Sequence, residues 1–221
     1  MSLQDDKRQG GFSLIEIAIV LVIIGLLIGG VLKGQTLVKN SKIKRIATDT
    51  TSVQGAINSY MDSYWALPGD DAGAATRWSV AALAGNGNGI ITGLFDSADK
   101  TGSAGDETAL AWNHLYCENL VKGSCLVGTS GSNIAFPVNA VGGITGIADG
   151  RSNSVLGITK KVICMKGLST EYAMIYDTQF DDGVGTTGEI RGSADAATGA
   201  TTDAATTYAL ANKNIYVCSG F

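Results

Sequence analysis

Residues 12–32 read FSLIEIAIVLVIIGLLIGGVL, twenty-one positions that carry a single charge, Glu16. At about 1.5 Å rise per residue such a run spans about 30 Å, the hydrocarbon thickness of a bilayer, so it predicts a membrane-spanning helix. Ahead of it stand the polar, glycine-ended residues MSLQDDKRQGG, and the first basic residue after it is Lys33. A secretory signal peptide fits less well. Its apolar region is shorter and ends in a small-residue cleavage site, which Lys33-Gly34-Gln35 does not supply.

Glu16 is the costly residue of this run. A carboxylate at mid-bilayer costs about 3 kcal/mol on insertion scales, so a plain anchor gains by omitting it. Lying one turn from the polar leader, Glu16 can reach the headgroups. It can also serve a later step. Buried charge is tolerated when paired, and cleavage after Gly11 would free the amine of Phe12 as a partner.

The segment GGFSLIEIAIVLVIIGLLIGG at 10–30 resembles the prepilin cleavage and methylation motif of type IV pilins and type II secretion pseudopilins. The resemblance covers about the first fifty residues and rests on Gly11, Phe12 and Glu16. It implies a leader at 1–11 removed by an aspartyl prepilin peptidase, N-methylation of Phe12, and insertion of the apolar helix into a filament core. It further implies that Glu16 pairs with the mature N-terminal amine of a neighbouring subunit during assembly. The implied partners are other copies of the chain, related pilins, the peptidase and an inner-membrane assembly platform. The implied location is the inner membrane, with the head in the periplasm, and then a pilus or pseudopilus at or near the cell surface. Many major pilins carry a proline where this chain has Lys33, and Gly25, Gly29 and Gly30 are the residues that would loosen the helix here.

Beyond Lys33 no proline occurs until Pro68, and apolar residues recur at Ile43, Ile46, Val53, Ile57, Tyr60 and Tyr64. These steps of three, four or seven predict one helix over 12–64, about 75 to 80 Å long, whose second half is one-sided and needs cover. Residues 65–221 supply it as a single globular head. A dimeric coiled coil is disfavoured by the short pattern and Gly55. Apolar runs at 160–168, 171–177 and 214–221 read as strands of an antiparallel sheet, and 107–121 as a second helix with Asp106 at its cap. The expected fold class is therefore α+β. The small, repetitive stretch at 192–211 reads as an exposed loop.

Cys117, Cys125, Cys164 and Cys218 form an even set in the C-terminal half, and in an exported domain they read as two disulfides with three possible connectivities. Cys117 with Cys125 closes a short loop, and Cys164 with Cys218 ties the chain end to an earlier strand. Zinc is disfavoured, because CxxC spacing is absent and His114 has no partner histidine. A net charge of -4 without a basic block points away from nucleic acid as the main partner, and thirty Gly against two Pro point to a head with long loops and light packing. Asp70, Asp71, Asp181 and Asp182 stand in glycine-bearing loops of the kind that hold calcium, although such residues are equally ordinary turn formers. Neither GxSxG nor HExxH occurs, and an enzyme is not expected. Three readings stay open: a pilus subunit serving adhesion, motility or DNA uptake; a secretion pseudopilin; and a non-polymerising membrane-anchored binding domain.

Overall fold

The computed structural model describes residues 13–79, 84–96, 106–126, 134–152, 155–193, 207–208 and 215–221. The chain divides into two compact units, Met1–Ser41 and Lys42–Phe221. Helix α1 runs over Leu14–Tyr64 and crosses the division. In the first unit its residues are almost all exposed, and they pass through Gly25, Gly29 and Gly30 without interruption. By length and composition this helix can cross a membrane.

In the second unit α1 becomes one-sided. Ile43, Ile46, Thr50, Val53, Ile57 and Tyr60 are buried at alternating steps of three and four, the spacing of one helical face. The remaining elements are α2 at Ala74–Arg77, α3 at Glu107–Cys117, β1 at Thr145–Asp149, β2 at Lys161–Leu168, α4 at Thr170–Phe180, β3 at Ile190–Ser193 and β4 at Ile215–Gly220. The strands form one antiparallel sheet in the order β1-β2-β4-β3. The fold is thus α+β: a long N-terminal apolar helix and a four-stranded antiparallel sheet.

The period-2 alternation of a strand divides the core. Ile147 and Ile163 join Ile57, Tyr60, Trp112 and Leu115 in one cluster. Met165 and Val217 pack with Ile43, Ile46 and Tyr176 in a second. Val162, Cys164, Tyr216 and Cys218 belong to a third, with Phe95 and Leu156. Helix α3 is buried along its length from Glu107 to Tyr116, so it is a core element and not an amphipathic surface helix.

Several expectations need correction. Residues 171–177 lie in α4, not in a strand: Ser169 caps the helix by accepting the Tyr172 N–H, and Ala173, Tyr176 and Asp177 are buried at i, i+3 and i+4. The aromatic content of EYAMIYD mimics a strand, but the capping residue sets a helical start. Strands β1 and β3 were not expected, being short and rich in Gly, Ala or polar residues. Helix α3 ends at Cys117 instead of 121, where Asn119 turns left-handed at φ 55°. Asp106 occupies the N-cap position but makes no capping bond there; it accepts the Thr108 hydroxyl. Of the presumed loop at 192–211, residues 194–206 and 209–211 lie outside the described residues.

Candidate functional site

The first described residues build a reciprocal cap. Ser13 Oγ accepts the Ile15 N–H at 3.4 Å, and Glu16 Oε2 accepts the Ser13 N–H at 2.8 Å. Ser-x-x-Glu is a capping box, and an acidic group in the first turn also suits the positive end of the helix dipole. Glu16 therefore has a local structural role beside any assembly role, a role that SLIE at 13–16 displays and that the sequence reading overlooked. The two processing positions, Gly11 and Phe12, lie outside the described residues. From Leu14 to Leu32 the large apolar side chains are exposed, and an added Cβ at Gly25, Gly29 or Gly30 would meet nothing within 4 Å. An uncovered surface of this extent needs a bilayer or other apolar helices around it.

In the head, the four candidate aspartates fall into two separate places. Leu67-Pro68-Gly69-Asp70 forms a tight turn in which Asp70 N–H reaches the Leu67 carbonyl at 3.1 Å. Gly69 sits at φ 93°, and a Cβ there would stand 2.4 Å from the Glu107 carbonyl, so only glycine fits against α3. Asp70 is buried and accepts N–H bonds from Asn88 and Gly89 at 3.0 and 2.6 Å. Glu107, distant in sequence but buried against the same turn, similarly accepts N–H bonds from Asn86 and Thr92. The segment GNGNG at 85–89 thus supplies backbone donors to both carboxylates.

Asp71 accepts from the Tyr60 hydroxyl and from Arg77 at 2.7 Å each, and from Gly73 N–H. The Arg77 guanidinium in turn lies 3.5 Å from the Tyr64 ring centre. Burial pushes the Asp71 carboxyl up, but the bonds from Arg77, Tyr60 and Gly73 outweigh it and hold the group below the usual range. Burial and Asp71 together raise the Tyr60 phenol. This is a closed ion pair that fastens the loop after α1. His114, fully buried, accepts the Gly69 N–H at 2.9 Å through Nδ1, which fastens the same turn from α3.

The other place is the end of α4. Asp177, Asp181 and Asp182 bring carboxylate oxygens within 4.8 Å of one another. Asp177 was missed in the sequence, although it stands one helical turn before Asp181 on α4. Its oxygens accept the Tyr208 hydroxyl at 2.7 Å and Gly183 N–H at 2.9 Å, and Asp181 accepts Ile190 N–H at 2.7 Å. Burial first, and then the charges of Asp181 and Asp182, push the Asp177 carboxyl above its ordinary value against those hydrogen bonds. Each oxygen retains acceptor capacity, so the donor set suits a hard cation.

All four cysteines are bonded. Cys117 joins Cys125 with Cα atoms 4.5 Å apart, and Cys164 joins Cys218 at 4.0 Å. The second bridge links residues directly opposite in the β2–β4 register, on the sheet face that carries Phe95 and Tyr216.

Residues 6–32 match the family model described as the prokaryotic N-terminal methylation motif, the signal of type IV pilins and pseudopilins. No curated protein and no solved structure matches the chain. The matched segment includes Gly11, Phe12 and Glu16, and with the apolar helix it supports a type IV pilin-like or pseudopilin precursor compatible with membrane anchoring.

Proposed function

We propose that this chain is the precursor of a structural subunit of a type IV pilus-like filament. Prepilin peptidase cuts it after Gly11, Phe12 becomes N-methylated, and the mature chain polymerises through its apolar helix. The observation that carries this reading is the motif match over residues 6–32. In support, α1 continues from the motif into the head core, so a force on the filament core is borne by a helix seated on two of the head's apolar clusters. Residues Leu14 to Leu32 leave bilayer lipid for a bundle of like helices, an exchange between apolar surroundings, and they are held there against water by about 1.5 to 3 kcal/mol per buried large side chain. The role is structural, with no chemistry assigned to the head. Its partners are further copies of itself, related pilins, the peptidase and the assembly platform.

The test is filament imaging with antibodies against the head. The native chain should label sheared fibres along their length, and Gly11→Val, which crowds the cut site, should leave the protein in the membrane without fibres. Unlabelled fibres, or fibres from Gly11→Val, would contradict the proposal. A second reading, a type II secretion pseudopilin with a calcium-binding head, is favoured by the convergence of Asp177, Asp181 and Asp182. On that reading calcium raises the melting temperature by mass action and chelation lowers it, whereas the Asp182→Asn variant responds to neither. An unchanged melting temperature ends the calcium assignment.

A further inference from the structure

Among the described residues of Lys42–Phe221, six large apolar side chains are exposed: Trp65, Leu120, Val138, Met174, Phe180 and Val184. Trp65 stands out, 95% exposed just past the end of α1 and held in left-handed backbone at φ 53°. Helix ends of this kind ordinarily carry glycine or asparagine. A bulky residue there is strained, and such strain is a mark of function when it aims a side chain. Here it aims an indole into water. Asp62, also exposed, stands three residues earlier, so the knob is acidic and aromatic.

A complementary hole exists elsewhere on the same head. A groove of about 490 Å³ is lined by Val53, Leu120, Pro137 and Val138, with Arg45 and Lys122 at its sides. Asp49 also borders it and lies 3.7 Å from Arg45, so the rim keeps a net positive balance. Val138, at 64% exposure, and Leu120 are the groove's own exposed apolar residues.

We propose that Trp65 of one copy docks in this groove of a second copy, with Asp62 facing Arg45 and Lys122. The argument for a second copy is charge and shape: one chain carries an acidic aromatic knob and a basic-rimmed apolar groove. Within one chain Trp65 stays 95% exposed and is not among the residues that line the groove. An aromatic anchor in a pocket with a charged rim is the ordinary composition of a strong contact. A knob and hole at different places on one chain make a head-to-tail contact, which adds copies without closing. The inference rests on the filament reading and gives the heads a specific junction in addition to the helix core.

The test places Ala66→Cys, which keeps the neighbouring indole, and Val138→Cys together in the full chain, whose own cysteines are all bonded. Sheared filaments are oxidised with copper phenanthroline and run without reductant. The expected result is a ladder of dimers, trimers and higher species, absent from either single variant. Filaments that give no ladder, or a product that stops at the dimer, overturn the docking while leaving the filament reading intact. Failure of the unaltered chain to form filaments contradicts the filament reading instead. If the cysteine pair blocks assembly, a photoreactive benzoylphenylalanine at exposed Lys122 serves in its place. Adducts within residues 62–66 of a neighbouring copy support the contact, and adducts only elsewhere overturn it.

Discussion

At the scale of single residues, Glu16 carries two roles that can be separated. Glutamine keeps the capping-box acceptor but loses the charge. Glu16→Gln should therefore insert normally and yield no filaments, while Ser13→Ala, which loses about 1 kcal/mol of capping, should still assemble. Filaments from Glu16→Gln, seen by shearing and gel analysis, would show that the charge is dispensable. Asp71 and Asp177 supply opposite pH signs. Asp71 titrates below its unfolded value, so its contribution is present at neutral pH and is lost as pH falls through the depressed folded value. Asp177 titrates above its unfolded value, so its contribution is full below the unfolded value and is lost as pH rises through the elevated folded one. Melting curves should accordingly show Asp177→Asn losing the gain in stability that the parent makes between neutral pH and mild acid. Equal slopes for the two proteins would refute the buried-charge account. Trp112 is fully buried and its Nε1–H meets no acceptor among the described residues, so Trp112→Phe should cost far less than the about 3 to 5 kcal/mol of an alanine.

At the scale of elements, the bridges differ by the loops they close. Cys117–Cys125 has a sequence separation of 8 and Cys164–Cys218 one of 54. Chain entropy assigns them about 2.5 and about 4 kcal/mol, so loss of Cys218 should lower the denaturation midpoint more than loss of Cys125. The reverse order would argue for native-state strain over loop closure. The long helix was legible because α1 shows its burial as a strict stripe from Ile43 to Tyr60, and β2 and β4 because they hold dense apolar runs. Helix α4 was hidden by its aromatics and by a cap, Ser169, visible only once the turn before it is known. Helix α3 was found, but its burial on all sides was not legible, because it carries polar residues such as Asn113 and His114 whose partners come from outside the helix. The site at the N-terminus was legible in contiguous residues. The Asp71–Arg77–Tyr60 lock and the Asp177 cluster were not, since they depend on tertiary approach.

At the scale of the whole molecule, one helix serves two surroundings. From Leu14 to Leu32 it is an apolar surface that lipid or other helices would cover, and from Ile43 it is the spine of a disulfide-braced head. The central claim is that the leader is removed at Gly11 and the new end at Phe12 enters a filament. Intact mass spectrometry of sheared surface material and of membranes from the native host tests it most directly. The predicted result is a chain that begins at N-methylated Phe12 and carries two disulfides, present in the sheared fraction. A chain that keeps Met1 to Gly11 in both fractions would contradict the account.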